Sequence, residues 1–332
     1  MTYFKSWSAT SSTAIVLILL LSACGGQKNA SSEGSEKKTT SDELKTLTIG
    51  YQKSSLNSIV LKSDAQLLSK EFPNTKVEWK EFPAGPQMLE ALSVGSIDLG
   101  SVGNTPPIFA QAANKHIVYV GYENVHPKWQ SVLVPKDSPI QSIEDLKGKK
   151  IAVQKGSSAH DLLGRVLQKA HLTWSDIQPI WLAPADARAA LDKKSIDAWA
   201  IWEPFLSAAE IEGQARSIVD GTTFESTYNF LISRPDFVKN HPSEVKKYIQ
   251  SSNNAAQWIV DHPSETLSLY SKTIGLNTDI AQRVLDKRYK PSIVNELKPE
   301  VVEAQQRIAD RFSEEKLIPQ KLDVKQAVWQ SQ

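Results

Sequence analysis

Apolar and polar positions alternate along Thr46-Leu47-Thr48-Ile49-Gly50-Tyr51 and again along Val77-Glu78-Trp79-Lys80-Glu81-Phe82, the pattern of half-buried strands. Between them the spacing predicts a helix over 59–70 that stops before Phe72-Pro73, after a polar loop from Gln52 to Asn57. Pro83-Ala84-Gly85-Pro86 turns the chain into a second helix, with Gly85 as its cap and Pro86 at its first position. A short apolar run, Ile97, Leu99 and Val102, then ends in Gly103-Asn104, and Thr105 stands before Pro106 as the cap of a further helix. Strands are expected over 117–122 and 131–134, with a break at Pro135-Lys136-Asp137-Ser138-Pro139. Beyond the break strands are expected over 150–154, 179–182, 198–202 and 215–219, and helices over 159–170, 186–193 and 208–212. Tyr228 to Ser233 reads as a buried strand, after which the period becomes helical, over 242–261, 263–273, 278–287 and 299–315.

The first half of this pattern returns about a hundred residues later. Ile49-Gly50-Tyr51-Gln52-Lys53-Ser54-Ser55 is echoed by Ile151-Ala152-Val153-Gln154-Lys155-Gly156-Ser157-Ser158. Pro83-Ala84 is echoed by Pro184-Ala185, and Ala91-Leu92 with Ser96-Ile97-Asp98 by Ala190-Leu191 with Ser195-Ile196-Asp197. A period this long means paired lobes and not a solenoid. The fold class is therefore α/β with two lobes joined by crossover strands and a ligand cleft between them at the carboxyl ends of the strands. The expected limits are 46–133 with 227–332 for the first lobe and 134–226 for the second.

Ahead of the body, Ala14 to Leu21 is an eight-residue apolar run, too short for a membrane span and suited to the core of a secretory signal over 1–23. Lys5 is the only charge before residue 24, and its removal leaves 37 basic against 37 acidic side chains. That balance argues against a nucleic-acid partner. Residues 24–45 are rich in Gly, Ser, Lys, Glu and Thr, and read as a flexible tether. Cys24 is the only cysteine in the chain, which rules out an internal disulfide and leaves a buried thiol, a catalytic thiol or an anchor at the processing boundary.

The turn at Gly103-Asn104-Thr105 carries the first candidate chemistry. Its glycine permits a sharp turn and close approach of a ligand, and the helix that follows offers unpaired N–H groups and the positive end of its dipole. The duplicated plan adds Gln52 on the same side and Gly156, Ser157 and Ser158 with Trp202 and Glu203 on the other. Both walls are polar but largely uncharged, which suits a permanently anionic ligand. His160 either donates to that ligand or faces solvent, and Glu203 either accepts from a ligand amine or fixes the second crossover. Trp199 and Trp202 stand three apart in one strand and face opposite sides, so Trp202 is assigned to the cleft. Asp98 and Asp197 sit between a turn and a strand and are expected to satisfy backbone N–H groups. Ser157, His160 and Asp161 are too close in sequence for a nucleophilic triad, which needs its base oriented from elsewhere in the fold. No nucleotide-binding or metal-ligand motif is present, so no cofactor and no metal is expected.

Leu21-Ser22-Ala23-Cys24-Gly25 resembles the lipobox of bacterial lipoproteins, which implies a lipid on Cys24 and a place at the extracytoplasmic face of the cell membrane. Glu81 to Gln87, Gly95 to Asp98, Thr105-Pro106-Pro107, Val134 to Ser138 and Pro184 to Leu191 resemble the aliphatic sulfonate-binding proteins of bacterial ABC importers. The resemblance runs from about Thr46 to Ser233 and more loosely through the helical tail. It implies a periplasmic-binding-protein-like fold of type 2 acting as a monomer, a sulfonate ligand captured for sulfur acquisition, and an ABC permease with its ATPase as partner. Relatives in the wider group bind taurine, nitrate or thiamine-pathway pyrimidines, and an enzyme on the same fold is the distant alternative.

Overall fold

The computed structural model describes residues 44–330. The expected signal segment, Cys24 and nearly all of the expected tether lie outside the described residues. Ten strands follow in chain order: β1 (Thr46–Tyr51), β2 (Lys76–Glu81), β3 (Leu99–Val102), β4 (Val118–Asn124), β5 (Gln130–Pro135), β6 (Lys150–Val153), β7 (Gln178–Trp181), β8 (Ala198–Trp202), β9 (Ala215–Asp220) and β10 (Tyr228–Ser233). They form two five-stranded sheets, ordered β2-β1-β3-β10-β4 and β7-β6-β8-β5-β9. Within each sheet four strands share one direction, and the strand in fourth place, β10 or β5, lies antiparallel to both its neighbours. A register shift interrupts that strand's outer ladder in both sheets, at Leu231/Ile232 and at Val132/Leu133. In the first sheet the shift puts Tyr119 and Tyr122, three apart, on one face, where they meet Phe230 and Tyr228 edge-on.

The helices are α1 (Leu56–Ser63), α2 (Ala65–Ser69), α3 (Gly85–Ser93), α4 (Thr105–Ala112), α5 (Ser158–Lys169), α6 (Pro184–Asp192), α7 (Phe205–Ile211), α8 (Pro235–Asn240), α9 (Pro242–Asp261), α10 (Pro263–Ile274), α11 (Thr278–Asp286) and α12 (Pro299–Glu314). The single helix expected over 59–70 is broken at Asp64, whose backbone is extended and whose carboxylate accepts from Gln66 N at 3.0 Å. Its first turn also reaches back to Leu56, into the expected loop. Cap positions shift too: Ala84 and Asn104 precede their helices, and Thr105 is already inside α4.

The division of the chain differs from expectation at two places. The boundary after residue 133 would cut β5, which lies whole in the second sheet between β8 and β9 with Val132, Leu133 and Val134 fully buried. The chain crosses over earlier, between Asn124 and Gln130. The Pro135 to Pro139 break is only the turn that ends this strand. The tail is also not confined to the first half. α9 packs on α1, but α11 packs on α7 of the second half. α12 covers the first sheet with Val301, Ile308, Ala309 and Phe312, while its Glu315 end accepts from Trp174 Nε1 of the second half at 2.9 Å.

The duplication has a matching hydrogen-bond signature. Asp98 Oδ2 accepts from Thr48 N and Asp197 Oδ2 from Lys150 N, each at 2.7 Å, and each Asp returns its own N–H to the same partner's carbonyl at 2.8 Å. Asp98 carries a further load, because Arg234 Nη2 bonds its other oxygen at 3.0 Å. Its loss strands a buried strand amide and an arginine, so Asp98→Ala is expected to cost about 1–3 kcal/mol. Asp197→Ala, at the more exposed copy, should cost less than about 1 kcal/mol. Urea unfolding of the two variants measures the difference, and equal losses would show that Arg234 adds nothing.

Candidate functional site

A cavity of about 50 Å³ lies between the two sheets, several times the ~10–15 Å³ needed to seat one water. Four helices begin at its wall: α1 through Ser55 and Leu56, α3 through Gly85, α4 through Gly103 and Pro106, and α5 through Ser157 and Ser158. None of the four cap residues, Ser55, Ala84, Asn104 and Ser157, uses its side chain to cap its own helix. Four positive helix ends therefore converge on one small space, none of them capped by the side chain of its own cap residue, an arrangement that attracts negative charge.

Of the residues singled out in the sequence, Gln52, Gly103, Ser157, Ser158 and Trp202 line this cavity. Gln52 is held by its Nε2, which donates to Ser101 O at 3.1 Å, and Ser157 by its hydroxyl, which donates to Gln154 O at 2.8 Å. Trp199 points the other way and is fully buried in the second sheet's core. Gly103 is not in the left-handed region. Its lack of a side chain matters because a Cβ there would sit 2.9 Å from Ser158 Cβ, so the glycine lets the two halves close on each other. Gly156 is the residue that needs a positive φ, +74°, and it lies behind the lining against Phe109.

Four of the expected residues face elsewhere. Asn104 and Thr105 are buried under α4: Asn104 Nδ2 donates to Asp161 Oδ2 at 2.9 Å, and Thr105 Oγ1 donates to Asn104 Oδ1 at 3.0 Å. Glu203 is fully buried and accepts from Ser207 N, Ser207 Oγ and Lys287 Nζ, the last at 2.6 Å. Burial pushes its carboxyl up and the Lys287 ammonium pulls it back. It ties α7 to the end of α11 and leaves no oxygen for a ligand amine. His160 is neither at the cavity nor in solvent. It is enclosed by Phe109, Phe312, Trp174 and Trp181, with ring centroids 4.9–5.7 Å away, and its Nδ1 accepts from Gly156 N at 3.2 Å. The proton of the neutral ring is therefore on Nε2, which has no partner. Asp161 turns away from it toward Asn104, Arg165 and Arg311, so Ser157, His160 and Asp161 do not assemble as a relay.

The lining also holds residues that sequence reasoning missed, chiefly Asn57, Glu123, Trp129, Tyr248 and Arg288. Arg288 follows α11, donates from Nη1 to Ser54 O at 3.2 Å, and lies over the Trp129 ring at 5.4 Å from its centroid. The wall is thus not uncharged: it has one guanidinium and one carboxylate. Burial pushes Glu123 up and Arg288 down, and each partly offsets the other's shift. Glu123 could have been found, since it stands at the carboxyl end of a recognised strand. Arg288 had no such signal. Among the described residues no group of three His, Cys, Asp or Glu side chains is placed to hold a metal ion.

The NMT1/THI5-like family matches residues 75–266. The chain belongs to that family. It is similar to the alkanesulfonate-binding protein SsuA from Xanthomonas axonopodis pv. citri, whose structure was solved bound to MOPS. The two share 42% identity and a TM-score of 0.84, over 86% of this chain and 99% of that one. The crystal structure of the periplasmic aliphatic sulphonate binding protein SsuA from Escherichia coli gives 45% identity and a TM-score of 0.80, over 87% and 93% of the two chains. A curated relative from Escherichia coli (strain K12), named for binding aliphatic sulfonates, is 45% identical over 284 residues, 86% of this chain and 88% of its own. The α/β fold described above is shared with both of these solved structures.

The buried imidazole gives a test of stability that is separate from ligand binding. Burial drives His160 down to about 3, with Lys155 and Arg311 adding to the shift and Asp161 opposing it. Between about pH 6.5 and 3 the unfolded chain takes up a proton that the folded chain refuses, so stability falls as pH drops through that window. His160→Phe should flatten the slope of unfolding free energy against pH by up to ~1.4 kcal/mol per unit between pH 4 and 6. Denaturant titrations across that range check it, and parallel curves for the two proteins would refute it.

Proposed function

We propose that this chain is the extracytoplasmic capture component of an ABC importer, and that it binds aliphatic sulfonates at the cavity between its sheets. The observation that carries the reading is the convergence of four helix starts, none capped by its own side chain, on a space that also holds Arg288. A sulfonate is ionised at every physiological pH and presents three acceptor oxygens, which match N–H groups, the Ser158 hydroxyl and a guanidinium. The identities with the SsuA proteins support the same ligand class. Trp129 and Trp202 supply apolar wall for the carbon chain. Micromolar binding needs about −8 kcal/mol, and one helix start gives roughly 0.3–1 and at most ~2. Several starts must act together with burial of the alkyl group.

Binding without turnover fits the wall. The Ser157 hydroxyl donates to a backbone carbonyl, and His160 is walled off from it by its own aromatic cage. Cys24, with the lipobox-like residues around it, holds the body at the membrane through a lipid, and residues 24–45 act as the tether. Among the described residues no helix is long and apolar enough to cross a membrane. A permease and its ATPase receive the ligand.

Two measurements test this reading. In titration calorimetry, propanesulfonate should bind at least tenfold tighter than inorganic sulfate, which lacks an apolar tail and brings a second charge. Sulfate binding as tightly as the sulfonate would overturn the site assignment. Separately, Cys24→Ala should move the mature protein from the membrane fraction to the soluble fraction without changing its Tm. Retention in the membrane after signal removal would point to another anchor.

A further inference from the structure

Among the described residues lining the cavity, Arg288 is the one cation, yet its own anchorage is slight. It makes no ion pair there and one hydrogen bond, from Nη1 to Ser54 O at 3.2 Å, and its guanidinium otherwise rests over the Trp129 ring. Its backbone lies past the last turn of α11, which ends at Asp286. A side chain with so many rotamers needs its base held if it is to wait in one place for an anion. The neighbouring residue provides that hold. Lys287 Nζ donates to Glu203 Oε1 at 2.6 Å and lies 3.4 Å from Ser207 Oγ. Glu203, fully buried, donates its own N–H to Trp129 O at 3.0 Å. One residue therefore fixes, through its backbone, the ring on which the guanidinium rests and, through its carboxylate, the residue next to that guanidinium.

Resting on the sulfonate reading above, we infer that Glu203 is a positioning residue of the anion site, acting through Lys287 to hold the Arg288 guanidinium at the cavity over Trp129. Glu203 is absent from the lining, and both its oxygens are taken, Oε1 by Ser207 Oγ and Lys287 and Oε2 by Ser207 N. A purely structural role is the alternative, since the bond to Ser207 N closes the first turn of α7. That bond does not need Lys287, however, and charge gives the two roles different signs. Lys287 offsets the Glu203 charge. Exchanging the carboxylate for an amide removes a negative charge close to an anion site, which by Coulomb attraction alone would tighten binding. Positioning requires the reverse, because an amide holds an ammonium less firmly than a carboxylate does, and Arg288 is then released.

Titration calorimetry with propanesulfonate at pH 7.5 on the full mature protein tests this, with urea unfolding of each variant alongside. Glu203→Gln should bind more weakly than the wild type by about fivefold or more, against the sign set by its charge. Lys287→Met, which breaks the link at its part-exposed end, should do the same, whereas Lys287→Arg, which keeps a cation within reach of Glu203, should stay within about twofold of the wild type. In an Arg288→Ala background the Glu203→Gln loss should shrink below about twofold, since a guanidinium that is gone cannot be misplaced. A Glu203→Gln loss of equal size with and without Arg288 would overturn the inference in favour of a purely structural role. Unchanged or tighter binding by Glu203→Gln would overturn it too, as would equal losses in Lys287→Met and Lys287→Arg. In each of these cases wild-type binding of propanesulfonate leaves the sulfonate reading standing, and a wild type that binds none overturns both. Should Glu203→Gln not fold, the two Lys287 variants, each with and without Arg288, decide by the same criteria.

Discussion

Asp161 is the charge on which the arrangement of the two halves depends. It is fully buried, and a bare carboxylate in that position would be prohibitively costly. Three groups from three elements meet it: Asn104 from the start of α4, Arg165 one turn along α5, and Arg311 from α12. Those contacts fix the start of a first-half helix beside the start of a second-half helix, with α12 clamped across both. Gln305, on the same helix, adds a 2.5 Å bond to Asn104 O. The close approach of Gly103 to Ser158 follows, and with it the small volume and the converging dipoles of the cavity. Breaking such a buried pair by removing one partner typically costs about 3–5 kcal/mol, whereas an exposed surface pair is worth little.

Much of this architecture was legible in the sequence because it was written twice. Apolar patterning located all ten strands in order, and β1, β8 and β10 with their full limits. The Ser-Ile-Asp echo located two carboxylates that do equivalent work in the two sheets. What misled the reading was local punctuation. The proline-rich break after β5 looked like a domain border, yet the strand before it is central in the second sheet because β8 and β9 pair with both its edges. Whether a strand ends one lobe or begins the next is decided by long-range pairing, on which its own residues are silent. Asp64 likewise gives no periodic signal; it breaks a helix by offering its carboxylate to an amide two residues on.

The site was less legible than the fold for a related reason. Turn residues such as Gly103, Ser157 and Ser158 lie where the chain itself delivers them, at the ends of strands. His160 lies two residues beyond such a turn, inside α5, and Glu203 directly follows β8, and there the local path of the backbone decides whether a side chain faces the cavity or the core. The sequence offers only a polar residue at the right address. Both turned inward, one into an aromatic cage and the other onto Lys287. Arg288 entered from the opposite direction, carried 236 residues past Gln52 by a helical tail whose faces looked ordinary.

That tail changes how the cavity should be understood. The duplicated α/β halves supply the helix starts at the cavity, three from the first half and one from the second, and helix starts alone can hold an anion without distinguishing one anion from another. Further asymmetry comes from α9 with Tyr248 and Ser252, from the stretch after α11 with Arg288, and from Glu123 at the end of β4, whose counterpart β9 puts no residue on the lining. The repeated plan therefore provides generic anion affinity, and the unrepeated elements provide discrimination among ligand tails. The tail touches the sheets' pairing only at two isolated bridges to β4, Asn295 with Tyr122 and Val328 with Tyr119, so Tyr248, Ser252 and Arg288 can vary without breaking a ladder. Selectivity within this fold should accordingly be sought in the helical tail and in the end of β4, and general affinity in the paired turns at Gly103 and Ser157.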